Sequence, residues 1–243
     1  MCVIVISNKK VKEDIIEKCW HANQYGAGFS VCESDKVYYH RGIMKLNEFL
    51  KCYDEEVAEG KKHVLHFRIP SKGDKGVNMT QPFPIEKNYL KMLKEITHKG
   101  FNIMDMSKKG YTAATLSHNG TISSIGDNKL SDSFYAAYIL SNLKNKSGYG
   151  EVLGILSDYS RFAIALPNKV VTVGDFEEYD EMYFSNMFWK DKLSFKYYGC
   201  KRYNTDYNTE FIFCWNENGI IDRAECANCT ISTEYLCDVK NKE

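Results

Sequence analysis

Proline is scarce in this chain, with four among 243 residues, which excludes a long proline-rich linker. No apolar run approaches the ~20 residues that a membrane-crossing helix needs, so no membrane partner is expected. Neither sign of charge prevails: lysine plus arginine number 32, as do aspartate plus glutamate, and that balance gives no reason to expect nucleic acid as a partner. The opening "MCVIVISNKK" is apolar for only a few residues before lysines arrive, the wrong order for a secretory leader. A glycine-rich phosphate loop is missing, so ATP is not expected, and no other cofactor is. Internal repeats and low-complexity segments are missing too.

What the chain does have is aromatic residues, 14% of the total with 17 tyrosines, a composition that favours β structure. Its nine cysteines are odd in number and irregularly spaced. Without a leader they read as free thiols in a reducing cytoplasm. Strands are expected at 2–6 and 63–70, and hairpins at 25–40 and 161–176, the latter turning at Pro-Asn. A third hairpin is expected within 111–126, turning at "HNG", because Asn-Gly is a strong hairpin signal. A further strand is expected at 181–186. Helical spacing appears at 11–24, at 45–60 with Gly60 as its stop, and at 131–145 behind good N-cap residues. Strands outnumber helices, and the helices fall between hairpins. The expected class is therefore α+β, with mostly antiparallel sheets covered by helices.

Four features can carry chemistry: Cys2, "HFRIPSKG", "LSHNG" and "LSDS". Each also has an ordinary reading. Cys2 is a small buried strand residue or a nucleophile. Asn119-Gly120 is a turn or a donor pair. Arg68 is an ion-pair partner or a ligand for an acid. Asp132 is a first-turn helix acid or a ligand for a cation. His66 and His118 are catalytic bases or packing residues.

Taken in order, the stretches "MCVIV", "CWHANQYGAGFSV", "VLHFRIPSKG", "QPFPI", "LSHNGTIS", "LSDSF" and "MYFSN" resemble the class II glutamine amidotransferase domain, of the N-terminal nucleophile hydrolase superfamily. Small stand-alone domains of phage and bacterial genomes are the nearest in character. The resemblance runs from Cys2 to Asn186. It implies a four-layer αββα sandwich at 1–186, two antiparallel sheets between helical layers, with 187–243 as an extension packed on or continuing the same domain. It implies glutamine, or a related γ-glutamyl amide, as substrate.

Within that resemblance Cys2 is the nucleophile, and its own α-amine, with an ordinary pKa of ~7.7–8.0, is the base. This requires removal of Met1, which a residue as small as Cys2 permits. Asn119 and Gly120 are the oxyanion donors. Arg68 takes the substrate carboxylate with help from Ser71, and Asp132 takes the ammonium. His66 and His118 are then structural. Two departures bear on the substrate: Val3 stands where glycine is usual, and "PSKG" where "ATHG" is usual, which puts Lys72 beside the carboxylate pocket. Only 187–243 remains beyond the resemblance, so ammonia goes to a separate synthase or is released. The alternatives are a non-catalytic interaction module retaining the fold, and an amide hydrolase for a non-glutamine substrate. Cys226, Cys229 and Cys237, with Cys214 upstream, make at most half of a zinc site, and no metal is expected.

Overall fold

The structure is a computed structural model. It describes residues 1–86, 108–157 and 159–191, and beyond these the strand backbones at 199–204, 210–216 and 219–220. The chain divides into two compact units, Met1–Lys192 and Leu193–Glu243.

The first unit opens with β1 (Val3–Ser7), whose β-branched residues suit a pleated strand. Helix α1 (Glu13–Ala22) follows, with two acids in its first turn where they complement the helix dipole. A hairpin of β2 (Ala27–Cys32) and β3 (Val37–Ile43) leads to α2 (Leu46–Glu56) and then β4 (His63–Phe67). After β5 (Phe83–Pro84) come β6 (Lys109–Thr112) and β7 (Thr115–Asn119). Helix α3 (Asp132–Ser141) is capped by the Ser131 hydroxyl, which accepts from the Phe134 N–H at 3.2 Å. Helix α4 (Tyr149–Leu156), the hairpin β8 (Arg161–Leu166)–β9 (Lys169–Val173), the short hairpin β10 (Glu177–Tyr179)–β11 (Met182–Phe184) and α5 (Phe188–Asp191) complete the unit.

Two antiparallel sheets result, β10-β11-β1-β4-β2-β3-β6 and β5-β7-β8-β9. The period of two sorts their side chains. From β1, Val3 and Val5 join Ile16, Trp20, Phe49 and Tyr53 of the first two helices. Ile4 and Ile6 face the other way, onto Ala163 and Ala165 of β8. From β8, Phe162, Ile164 and Leu166 pack under α3 and α4 with Phe134, Leu140 and Leu153. The layers run helix, sheet, sheet, helix, which is the expected αββα sandwich. The alanines let the two sheets approach.

Close approach is sharpest at Gly28 on β2. A Cβ there would lie 2.4 Å from the Gln81 carbonyl oxygen and 2.5 Å from that of His40, both backbone atoms that cannot step aside. Gly28→Ala is expected to cost about 1–3 kcal/mol, read as a lower urea midpoint at unchanged slope.

Two expectations are corrected, and one helix is new. There is no hairpin at "HNG": β7 ends at Asn119 and pairs with β5 and β8, and the chain beyond Gly120 is irregular. The next segment has its backbone groups satisfied by side chains instead of a partner strand, as described below. Helix α2 stops at Glu56, so Gly60, at φ +76°, belongs to the turn after it. Helix α4 was not expected at all. Its Tyr149 and Leu153 are buried at helical spacing, but Gly150 and Gly154 weaken the local signal.

The described backbone of the second unit is one antiparallel sheet, β12 (Gly199–Asn204), β13 (Glu210–Asn216) and β14 (Gly219–Ile220). Cys214 lies on β13, while Cys226, Cys229 and Cys237 fall outside the described residues.

Candidate active site

The alternation that puts Ile4 and Ile6 between the sheets gives Cys2, the residue just ahead of β1, the same facing. On β4 the same rule sends His66 and Arg68 to the inter-sheet side, since Leu65 and Phe67 belong to the helix side. The antiparallel register Val3↔Phe67 brings Cys2 beside the Arg68–Ile69 segment. There the Ile69 N–H donates to the Cys2 sulfur at 3.3 Å, and the thiol lies 3.3 Å from the Ile69 carbonyl oxygen, as a donor. Cys2 is 8% exposed, and Asn186 Nδ2 donates to its carbonyl oxygen at 2.7 Å. Burial pushes the thiol up from its ordinary value. The Ile69 N–H and the positive charges of the N-terminus and Arg68 oppose this, while Asp132 adds to it. Cys2, Arg68 and Asp132 thus share one electrostatic neighbourhood.

Asn119 is fully buried at the end of β7, where its Nδ2 donates to Ser185 Oγ at 2.9 Å and its Oδ1 has no partner. Ser185 Oγ also accepts from the Ile4 N–H at 2.9 Å, so one hydroxyl ties the cysteine's strand to the asparagine. Gly120 follows at φ +146°, and a Cβ on it would lie 2.3 Å from Ser160 Oγ. Only glycine fits that turn away from the strand.

Arg68 is 2% exposed and donates to the carbonyls of Asp74 at 2.6 Å and Gly76 at 3.4 Å, which fixes the loop after β4. Asp132 is buried at the first position of α3. Its Oδ2 accepts from the Ile122 N–H at 2.7 Å and its Oδ1 from the Ser133 N–H at 2.8 Å. Burial pushes this carboxyl up, opposed first by those two N–H groups and then by Lys72. Both ordinary and chemical readings of Asp132 fit this position. Ser71 is exposed and accepts from Thr121 Oγ1 at 3.0 Å.

Lys72 engages more than its charge suggested. Its ammonium donates to the carbonyls of Ile122, Ser123 and Ile125 at 3.0, 2.9 and 2.7 Å. With Asp132 on Ile122 N–H, these bonds hold the segment where sequence reasoning expected a strand. Lys72→Met is expected to accelerate amide hydrogen exchange in 121–126 by about ten- to a hundredfold, since hydrogen bonds to charged groups carry about 1.5–3 kcal/mol. Exchange followed by mass spectrometry checks it, with the β1 amides as the unchanged reference.

The two histidines are placed as packing residues. His66 Nε2 donates to the His118 carbonyl at 3.1 Å. The His118 ring stacks on Phe162 with centroids 4.5 Å apart, and it exchanges hydrogen bonds with Ser133 Oγ at 2.8 Å and Ser160 Oγ at 2.9 Å. Burial pushes both imidazoles down to about 3, so both are neutral at pH 7. Sequence reasoning quoted "MYFSN" but gave Ser185 and Asn186 no role. The available signal was two polar residues closing an apolar strand.

Among the described residues, His40, Cys52 and Glu56 are a group able to hold a metal, with ligand atoms within 4.8 Å of one another. The Glu56 carboxylate there already takes Tyr38 Oη at 2.7 Å and His40 Nδ1 at 2.8 Å. No helix among the described residues is long and apolar enough to cross a membrane.

No family model matches the chain, and neither does any curated protein. Solved structures do. The glutamine phosphoribosylpyrophosphate amidotransferase from B. subtilis, complexed with ADP and GMP, matches at TM-score 0.50 and 17% identity, over 91% of this chain and 48% of that one. A structure described as the allosteric regulatory enzyme of purine biosynthesis matches at TM-score 0.50 and 17% identity, over 90% and 48%. This chain spans about half the length of each. At that identity the likeness establishes the fold alone, an α+β sandwich of two antiparallel sheets between helical layers.

Proposed function

We propose that residues 1–186 form a stand-alone domain of the class II glutamine amidotransferase type, of the kind found in phage and bacterial genomes. It hydrolyses the side-chain amide of glutamine or a related γ-glutamyl amide. Cys2, freed of Met1, is the nucleophile. Its α-amine takes the thiol proton as sulfur attacks the amide carbon. Asn119 Nδ2 and the Gly120 N–H hold the charge that develops on the amide oxygen. The C–N bond breaks, the amine returns the proton to nitrogen, and ammonia leaves. Water then attacks the thioester, giving the carboxylate and restoring the thiol. Arg68 and Ser71 receive the substrate's α-carboxylate, and Asp132 its ammonium. The ammonia is released or passes to a separate synthase. A reducing cytoplasm suits a nucleophilic thiol, and Cys2, Cys19, Cys32 and Cys52 are all free.

The observation that carries this reading is the setting of Cys2. Its sulfur lies against the Ile69 N–H, in range of the charges of Arg68 and Asp132, and its strand is bridged to Asn119 through Ser185. The name of one of the two neighbours, a glutamine phosphoribosylpyrophosphate amidotransferase, is in keeping with the chemistry. The test is a diazoketone analogue of glutamine applied to processed protein, followed by peptide mapping and an ammonia assay. One adduct is expected, at Cys2, with loss of ammonia release. Labelling elsewhere, or equal labelling of Cys2→Ala, overturns the assignment.

A further inference from the structure

Ser185 is buried between the strand that carries Cys2 and the one that ends in Asn119. A serine hydroxyl has one donor and two acceptor sites. In the arrangement described, both acceptor sites are used, by the Ile4 N–H and by Asn119 Nδ2, each at 2.9 Å. The Ser185 backbone N–H also donates to the Ile4 carbonyl at 3.0 Å, so the residue is fixed from two sides. Among the described residues the hydroxyl hydrogen meets no acceptor, while Asn119 Oδ1, on the neighbouring carboxamide, is buried with no partner. A donor and an acceptor thus lie side by side, both unused.

A half-turn of the carboxamide pairs these two groups with each other and leaves the NH₂ hydrogens as the unpartnered donors. The two ends of the group are nearly equal in size, so the turn displaces nothing else. Ser185 Oγ then accepts from Ile4 and donates to Oδ1. The NH₂ group moves to the position vacated by Oδ1, with both its hydrogens free. In the original orientation the free end is an acceptor, which repels an oxyanion. In the turned one it is a double donor.

We infer that Ser185 is the positioning residue that selects the donor-out orientation of the Asn119 carboxamide, by donating its hydroxyl hydrogen to Oδ1 while anchored on the Ile4 N–H. This rests on the proposed amidohydrolase reading and deepens it, because it accounts for how a neutral amide is aimed at the developing charge before substrate arrives.

The experiment measures glutaminase kinetics on processed parent, Ser185→Ala, Ser185→Thr, Asn119→Ala and the double variant Ser185→Ala/Asn119→Ala. Removing an oxyanion donor costs about 10²–10³ in kcat, and misaiming one costs less, so Ser185→Ala is expected to lower kcat about ten- to a hundredfold. KM stays within about twofold, since Arg68 and Asp132 hold the substrate's α-groups. Ser185→Thr keeps the hydroxyl and recovers most of the rate. The double variant is no slower than Asn119→Ala alone, because Ser185 acts through Asn119. Unchanged kcat in Ser185→Ala, or losses that simply multiply in the double variant, overturn the inference while leaving Cys2 catalysis standing.

If the parent itself releases no ammonia, the amidohydrolase reading fails first. The orientation is then read directly from nuclear Overhauser contacts of the Asn119 side-chain amide protons. Strong contacts to Ser185 Hβ overturn the inference. Contacts that place those protons away from Ser185 support it.

Discussion

Processed chain carrying Cys2→Ala is expected to release ammonia from glutamine on the order of 10⁴-fold or more slowly than the processed parent, the scale on which removing a covalent nucleophile acts. The informative comparison is a third form, with Cys2 intact and Met1 still attached. That form has the sulfur but lacks the base. Its Cys2 nitrogen is a peptide amide and accepts no proton. Burial has pushed the thiol up, so it carries its proton at pH 7. Neither His66 nor His118 replaces the amine, because they hold protons only below about 3 and bond to the His118 carbonyl, Ser133 and Ser160. The Met1-bearing form is therefore expected to be as slow as Cys2→Ala to within about tenfold.

The same argument fixes the pH profile. The amine must be unprotonated to take the thiol proton, so kcat/KM of the processed parent rises with pH through the amine's ordinary range, about 7.7–8.0. The measurement is ammonia release from glutamine between pH 6 and 9 by the three forms, with N-terminal mass confirming each. Comparable activity from the Met1-bearing form would remove the α-amine from the mechanism. Comparable activity from Cys2→Ala would remove the sulfur.

Much of the sandwich was legible because its signals are local. The run at β1, the spacing of α1 and the Pro-Asn turn between β8 and β9 each carry their pattern within a few residues. The fold's name came from the order of the motifs, and the likeness to solved structures agrees with it. What failed was local evidence overruled from afar. Asn119-Gly120 has turn chemistry, but the groups that organise the chain after it are Lys72, from the loop after β4, and Asp132, at the head of α3. Neither can be inferred from "HNG". Ser185 was unreadable for the same reason. Its partners, Ile4 and Asn119, are 181 and 66 positions away, and only the folded sheet order makes them neighbours. Arg68 is a mixed case. The strand that leads to it was expected, but its bonds to the Asp74 and Gly76 carbonyls were not.

Those buried imidazoles also set the protein's response to acid. Stability is expected to fall by on the order of 5 kcal/mol between pH 6.5 and pH 4, most of the reserve of an ordinary domain. An unfolded histidine takes up a proton near 6.5, whereas His66 and His118 in the fold resist it until about 3. Their folded values are depressed, so the unfolded chain binds more protons throughout that window, and stability is lost as the pH falls. At 1.36 kcal/mol per unit, each contributes roughly 3 kcal/mol by pH 4. His63, also pushed down by burial, acts in the same direction. Asp132 acts the other way, because burial has raised its carboxyl and the fold gains as that group protonates, but among the described residues it is outnumbered, since burial also pushes His21 down. Urea midpoints at pH 7.0, 5.5 and 4.5 measure the loss. His118→Gln, even if less stable at pH 7, is expected to flatten the profile by about one proton's slope, since glutamine has nothing to titrate. A parent profile that is flat from 6.5 to 4 would mean that these rings are already charged, or reached by water, in the folded protein. Such a result would undo the argument that the α-amine has no competitor, because a water-reached imidazole of ordinary pKa beside Asn119 is largely neutral at pH 7 and is a base within reach.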